Sequence, residues 1–386
     1  MPGVIRFQPA ATPREDSTTA AFSSAAPLDG DDQITPSHDP VAPSPRDDLG
    51  PLTVRGLRAR DLPGVRQASA VLRLHQPEIN VRPYSPLRSA LGTLAPGRQM
   101  KPRMFVARAG NDFIGFAHFQ QALPDNRWQL IAAGTASGDY DAAPVWEDLL
   151  EEAVIAAGLR GVKRLYAKAP HGWPIAEALR AVGFAPYATE TVYLAQQIRL
   201  GPVVEPVRQQ NQADTWAIHQ LYNVAVPREV QYAEAYTSHR WDVRGRSDRL
   251  TGLMARGWLI EDGHHVLGYV RVLSAGSTHI IEVLVDPERR EVIEPLLDGA
   301  LNRIVQGGHT HELYAVIRGY QTEIGSLLEQ RGFAPVVEQD LHLKYTTATV
   351  RAPATETVVF HPEVIEKLPK RVPSFLHGTP RDESAH

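Results

Sequence analysis

One carboxylate stands in a segment whose other residues are all apolar. Glu282 is the only acidic residue of the segment Ile280-Ile-Glu-Val-Leu-Val285. If this segment is a buried strand, removal of water raises the pKa of the carboxyl toward neutrality, as a general base requires. A second interpretation stays open, because Ile281, Val283 and Val285 share one face of an alternating strand and Glu282 lies on the other. On that interpretation Glu282 faces solvent.

The stretch from Tyr222 to Trp241 is a second place where chemistry could occur, because it mixes aromatic and charged side chains at high density. Tyr222, Glu229 and Tyr232 are our candidates for contacts with a small polar molecule, since apolar walls with a few polar groups are typical of ligand pockets. The alternative is a long connection between elements that needs aromatic anchors.

Two neighbouring arginines, Arg289 and Arg290, could bind phosphate groups at the start of a helix. Their alternative is a pair of solvated charges that flank a turn. The histidines of His264-His265 and His309-Thr-His311 lack acidic residues at ligand spacing, so we predict surface histidines and no metal site.

The composition excludes several classes of function. The chain has 386 residues, a formal net charge of −4 and no cysteine, which excludes disulfides, thiolate metal sites and a cysteine nucleophile. The mild charge argues against a general role on nucleic acid or membrane, and no apolar run approaches the ~20 residues of a membrane span. The N-terminus lacks a secretory signal pattern, so the cytoplasm is the expected compartment. The oligomeric state stays open, a monomer with an internal pseudo-dimer being one arrangement.

The sequence of the first half of the chain is repeated, in part, in the second half. Phe105-Val-Ala-Arg-Ala-Gly110-Asn-Asp-Phe-Ile-Gly115-Phe116 matches Trp258-Leu-Ile-Glu-Asp-Gly263-His-His-Val-Leu-Gly268-Tyr269, apolar for apolar and glycine for glycine. Gly183-Phe-Ala-Pro186 likewise matches Gly332-Phe-Ala-Pro335, and the offset stays between 148 and 153 residues. A repeat of this length is a whole domain, because solenoid repeats run about 20–50 residues.

Each half shows the same order of predicted elements, namely strand, helix, three antiparallel strands, helix, strand, helix and strand. The predicted fold class is α/β (α+β), with two tandem domains that each have a mixed, mostly antiparallel sheet flanked by helices. The predicted parts are a disordered acidic tail at 1–50, an N-terminal domain at 51–200, a C-terminal domain at 201–347 and an extension at 348–386.

This order of elements resembles the GNAT superfamily of acyl-CoA-dependent N-acyltransferases. Val285-Asp-Pro-Glu-Arg-Arg290 resembles the strand-to-helix signature of that family, and the Gly-Phe pair after the second-last helix is typical of it. The resemblance covers roughly residues 52–347 and implies acetyl-CoA, or another acyl-CoA, as cofactor. In active members the fourth strand pairs with the pantetheine arm and the next loop holds the diphosphate. Cofactor contacts are therefore implied for Val283, Leu284, Val285, Arg289 and Arg290.

The chain departs from the family pattern in its second half. Arg290 is followed by Glu291-Val-Ile-Glu-Pro295, which lacks the glycines of the family loop. Leu328 stands where many members have a tyrosine that protonates the departing thiolate. Tyr320 is the candidate substitute, and a partly buried tyrosine at a helix start is the alternative. The resemblance makes Glu282 the candidate base, whereas the matching strand of the first half offers only Gln129.

These observations give two main functional hypotheses. The first is an acyl-CoA-dependent N-acyltransferase that acts on a small-molecule amine, with the second half catalytic and the first half a scaffold. The alternative is a non-catalytic GNAT-fold binding module that has lost acetyl-CoA binding. A third interpretation, aminoacyl transfer by a related tandem enzyme, has no specific motif here. The first hypothesis requires a gap between the strands at 278–285 and 312–317.

Overall fold

The computed structural model describes residues 4–6, 52–68, 70–73, 85–94, 103–122, 127–136, 143–202, 207–243, 254–307 and 312–346. The described residues from 52 to 346 belong to one compact unit. Most of the predicted tail at 1–50 and all of the predicted extension at 348–386 lie outside the described residues. The predicted domain boundary near residue 200 stays a prediction.

The strands are β1 Val4–Arg6, β2 Leu52–Gly56, β3 Ala70–Arg73, β4 Arg103–Ala109, β5 Asp112–Ala122, β6 Arg127–Thr135, β7 Arg164–Pro170, β8 Ala185–Ala195, β9 Gln197–Arg199, β10 Arg208–Gln209, β11 Met254–Asp262, β12 His265–Ala275, β13 Thr278–Val285, β14 Glu312–Arg318 and β15 Phe333–Tyr345. The helices are α1 Leu62–Gln67, α2 Pro86–Leu94, α3 Ala143–Gly158, α4 Pro174–Ala181, α5 Thr215–Ala225, α6 Arg228–Glu234, α7 Ile293–Gln306 and α8 Thr322–Gln330. None of the described helices is long and apolar enough to cross a membrane.

Thirteen of the described strands form one sheet that runs through both halves. Its order is β10-β11-β12-β13-β14-β8-β15-β7-β6-β5-β4-β2, with β3 attached to β6. Among the described strands, only the pairs β13–β14 and β6–β7 are parallel. The predicted fold class, a mixed and mostly antiparallel sheet flanked by helices, is confirmed. Residues 203–206, shortly before β10, lie outside the described ranges.

The two halves exchange their last strands. β8, from the first half, lies between β14 and β15, and β15, from the second half, lies between β8 and β7. Glu190 pairs with Gln339 at the middle of the β8–β15 ladder, and the two positions are 149 residues apart, within the offset of the repeat. Tyr187 and Val336, again 149 residues apart, are each skipped in that ladder. The pairing is therefore symmetric about Glu190 and Gln339.

The same ion pair anchors the first strand of each half. Arg55 donates to the Asp61 carboxylate at 2.7 Å, and Arg208 donates to the Asp214 carboxylate at 2.8 Å. Both aspartates are buried at the start of the first helix and also accept a backbone amide three residues earlier. A buried carboxylate needs such partners, since desolvation otherwise disfavours its charged form. The sequence repeat is thus matched by a repeated contact.

A buried charge network lies where the exchanged strands meet. The fully buried Glu190 carboxylate is 2.7 Å from Lys168 Nζ on β7 and 3.1 Å from Arg318 Nη1 on β14. Gln339 Nε2 donates to the same carboxylate at 2.7 Å. Burial alone would raise the pKa of Glu190, but Lys168 and Arg318 outweigh it and lower the pKa below its ordinary value of 4.5. One carboxylate thereby joins strands from both halves.

Replacing Glu190 by glutamine should lower the free energy of unfolding at neutral pH by about 2–3 kcal/mol, because two cations then face a neutral amide. Since the folded pKa lies below the unfolded one, this contribution is present above pH 4.5 and is lost as the pH falls through the folded pKa. Urea unfolding of wild type and variant across that range measures it.

The matched control is Glu151→Gln, which changes an exposed glutamate on α3 and should leave the unfolding free energy unchanged. A Glu190→Gln protein as stable as the wild type at neutral pH would contradict a stabilising role for the network.

Candidate functional site

The parallel strands β13 and β14 separate at the candidate base. Their pairing runs from Thr278 opposite Glu312 to Glu282 opposite Val316 and stops there. Residues 283–285 remain paired with β12 on their other edge. Within the described ranges no strand pairs with the β14-facing edge of β13 beyond Glu282. The second half therefore has the gap that its predicted cofactor would need.

A glutamine side chain spans this gap. Gln321 Nε2 donates to the Val283 carbonyl on β13 at 2.8 Å, and Gln321 Oε1 accepts from the Arg318 amide on β14 at 3.0 Å. The side chain amide thus replaces one rung of the missing ladder. Any ligand that pairs with the Val283 carbonyl must displace it.

The first half has the same separation, but its own chain fills it. The parallel pairing of β6 with β7 ends at Gln129 opposite Tyr166. Beyond that point β3 pairs with β6, from Arg73 opposite Ala132 to Ala70 opposite Thr135. Since β5 pairs with the other edge of β6 over the same residues, β3 takes the edge that β7 leaves. The corresponding slot of the first half is closed by backbone hydrogen bonds.

Glu282 is held between guanidinium groups. Arg240 Nη2 lies 2.8 Å and Arg271 Nη1 3.4 Å from its carboxylate, whose side chain is 22% exposed. Burial raises the pKa of Glu282, but the charges of Arg240, Arg271 and Arg318 outweigh this effect and lower the pKa to about 2. The expectation that burial brings this pKa toward neutrality is therefore wrong. In this state Glu282 is a weak base.

Tyr320 lies in the turn between β14 and α8 and keeps more than a third of its surface exposed. Burial of its hydroxyl raises the pKa of Tyr320, Arg318 opposes this effect and Glu234 adds to it. The hydroxyl consequently keeps its proton at neutral pH. It is next to Gln321 in the chain and hence near the mouth of the gap.

The candidate cofactor residues divide into two groups. Val283 and Leu284 are buried and Val285 is half-buried, so their backbone rather than their side chains faces the gap. Arg289 is ion-paired with Glu291 at 2.6 Å, and Arg290 is ion-paired with Glu323. Both guanidiniums are therefore already matched by carboxylates.

The aromatic stretch forms a cavity of about 270 Å³, lined by Tyr222, Asn223, Arg228, Gln231, Tyr232 and Tyr236. Two predicted substrate residues, Tyr222 and Tyr232, are thus brought together, whereas Glu229 is exposed and is not among the lining residues.

Tyr222 is buried, and its hydroxyl donates to the Glu234 carboxylate at 2.9 Å. Glu234 binds Arg318 at 2.7 Å, and Arg318 meets Gln321 as described above. Three successive contacts therefore connect the cavity with the gap.

Gln321, Arg271 and Arg318 are site residues that were not predicted from the sequence. Arg271 could have been found, because the turn at Gly276 sets the β12–β13 register and places Arg271 directly opposite Glu282. Arg318 and Gln321 meet partners on distant elements, so no local pattern indicates them. Across the described ranges, no three His, Asp or Glu side chains are placed to hold a metal ion.

Replacing Arg240 by methionine should raise the pKa of Glu282 by about 1–2, because Arg240 is the guanidinium that lowers it most. Carbon-13 NMR of labelled glutamate carboxyls measures this pKa. In the wild type the carboxyl should stay ionised to the lowest pH at which the chain is folded.

Arg289→Met is the control, since Arg289 pairs with Glu291 and Asp262 on another loop and should leave the Glu282 titration unchanged. A wild-type Glu282 that titrates near its ordinary value of 4.5 would contradict the ion-paired geometry.

Comparisons with known proteins find similarity only at the level of structure. No family model and no curated protein sequence matches the chain. A tandem GNAT protein from the clavulanic acid biosynthesis pathway, solved without acetyl-CoA, is 14% identical, covers 78% of this chain and 100% of its own, and has a TM-score of 0.48. A GCN5-related N-acetyltransferase from Sphaerobacter thermophilus is 13% identical, covers 77% and 96%, and also has a TM-score of 0.48. At this level the chain is similar in structure to these two proteins.

Proposed function

We propose that the chain is an acyl-CoA-dependent N-acyltransferase for a small-molecule amine and that its second half is catalytic. One observation carries this proposal: no strand of the described ranges pairs with the β14-facing edge of β13 beyond Glu282, whereas β3 covers the matching edge of β6. An open edge is where an extended, amide-bearing ligand adds itself to a sheet. The pantetheine arm of an acyl-CoA is such a ligand, so this part of the donor fits.

The proposed reaction needs few groups from the protein. The donor supplies a thioester, whose carbonyl carbon is attacked by the amine as the C–S bond breaks, while the amine loses a proton and the thiolate gains one. Tyr320 is the proposed proton donor, because it lies in the turn beside Gln321, next to the gap, and its hydroxyl is protonated at neutral pH. Glu282 accepts the proton of the amine only when its ion pairs with Arg240 and Arg271 are released, since these charges hold its pKa at about 2.

Three contacts favour the alternative, a binding module without catalysis. Gln321 already uses the Val283 carbonyl, and Arg240 and Arg271 already neutralise Glu282. The first contact occupies the strand edge that a donor would use, and the other two keep Glu282 from acting as a base. Binding of acyl-CoA without transfer to any amine would support this alternative.

Acetyl-CoA should slow amide hydrogen exchange at residues 283–285 and leave residues 132–135 unchanged, because only the first set lies on an open edge. At ligand concentrations ten times Kd we expect about tenfold slower local opening. Mass spectrometry of the full chain, with and without acetyl-CoA, measures it. Protection at 132–135 alone would assign the donor to the first half and contradict the proposal.

Gln321→Ala sharpens this test, since it frees the Val283 carbonyl and should tighten acetyl-CoA binding about fivefold, the equivalent of one hydrogen bond. Gln330→Ala, an exposed glutamine at the far end of α8, is the matched control. Turnover of a panel of amines then separates the two hypotheses. Turnover that Glu282→Gln lowers supports the enzyme, and acetyl-CoA binding without turnover supports the binding module.

The cavity beside α5 and α6 supports a more specific acceptor. Arg228 is the only charged side chain that lines it, and among the described residues Arg228 has no hydrogen bond or ion pair. Arg127 and Arg240 each lie 5.1 Å from the ring of Tyr236, another lining residue. A guanidinium pairs best with a planar anion. The proposed acceptor is therefore an amine that carries a carboxylate beside a flat apolar group.

L-Phenylalanine should bind about tenfold more tightly than phenethylamine, which lacks only the carboxylate, because a charge-assisted hydrogen bond contributes this much. Arg228→Gln should abolish the difference, and Arg66→Gln, an exposed arginine on α1, should not. Calorimetry without any donor measures both affinities. Equal affinities in the wild type would contradict an anionic acceptor while leaving acyl transfer untouched.

A further inference from the structure

The loop after β13 satisfies its own backbone amides. The amide of Glu288 donates to Asp286 Oδ1 at 3.0 Å, and that of Arg289 to the Asp286 carbonyl at 2.9 Å. The amides of Val292 and Ile293 donate to the carbonyls of the two arginines before them. Four backbone amides at this helix start, those of Glu288, Arg289, Val292 and Ile293, are therefore occupied.

The side chains around the same loop are mostly acidic. Asp262 and Glu291 flank Arg289, and Glu323 pairs with Arg290. With Asp286 and Glu288, five carboxylates surround two guanidiniums, which leaves a local net charge of −3. An exposed ion pair is weak, so either arginine could turn toward a phosphate. That movement would leave Glu291 or Glu323 unpaired beside the incoming negative charge.

The two ends of the gap thus differ in what they can hold. Along residues 283–285 the backbone edge of β13 is open apart from the Gln321 contact. Beyond Asp286 the amides of Glu288, Arg289, Val292 and Ile293 are occupied, and carboxylates stand where the phosphates of a nucleotide would need donors and positive charge. The first end suits an uncharged amide chain, and the second end repels a diphosphate.

We infer that the second half recognises its donor through the acyl-pantetheine arm and does not hold the diphosphate end. This inference rests on the proposed acyltransferase function and deepens it. The donor class is an S-acyl pantetheine, and the nucleotide of coenzyme A contributes little to binding. Phosphate groups attached to the arm remain in solvent, where salt screens them from the acidic loop.

Calorimetry on the full chain with S-acetyl-pantetheine and acetyl-CoA tests this inference. The two dissociation constants should agree within about threefold, which corresponds to under 1 kcal/mol. Raising the salt concentration should leave acetyl-CoA binding unchanged or strengthen it slightly, because screening weakens a repulsion. Adenosine 3′,5′-bisphosphate should not compete with either ligand.

Acetyl-CoA binding at least about thirtyfold tighter than S-acetyl-pantetheine, the equivalent of ~2 kcal/mol, would overturn the inference and leave the proposed function standing. Binding of neither ligand would overturn both. The double variant Glu291→Gln, Glu323→Gln should tighten acetyl-CoA alone, because it removes charge next to the phosphates. The control Glu151→Gln should change neither affinity.

Discussion

The exchange of the last strands between the two halves is the constraint on which the rest of the structure depends. β8 and β15 lie side by side, and Glu190 binds Lys168 from the first half and Arg318 from the second. Arg318 then binds Glu234, and its amide meets Gln321. The residues of the candidate site are therefore fixed by a contact between the halves, and the core of the second half includes Tyr193 and Ala195 of β8.

The two halves use one geometric feature in opposite ways. In each half a parallel pair of strands separates partway along, which leaves backbone hydrogen-bonding groups that need partners. The first half supplies them with its own β3, and the second half supplies one from the side chain of Gln321. A backbone ladder is hard to displace, whereas a single side chain amide can rotate away. This difference is why the second half is the better candidate for a ligand site.

The sequence predicts the elements well because their signals are local. Gly183 and Gly332 have the positive φ angles of 82° and 88° that their place after a helix predicts, and Phe184 and Phe333 are buried behind them. The strand exchange could not be predicted, because either order of β8 and β15 satisfies the same alternation. For Glu282 the alternation of the strand did not decide whether the side chain is buried or faces solvent. Its low pKa follows mainly from Arg240, which reaches the carboxylate from a separate turn. An ion pair between residues that are far apart in the sequence leaves no periodic pattern from which it could be predicted.

The strand exchange also has a consequence for the order in which the chain acquires its structure during synthesis. The edge of β7 is complete at Pro170, but its partner β15 ends only at Tyr345. At ~5–20 residues per second, that edge waits roughly 10–35 s for its neighbour to emerge. An unpaired strand edge is a template for pairing with other chains. We therefore expect the first half to be the vulnerable part of a nascent chain, and its sheet to close only after nearly all of the second half has been made.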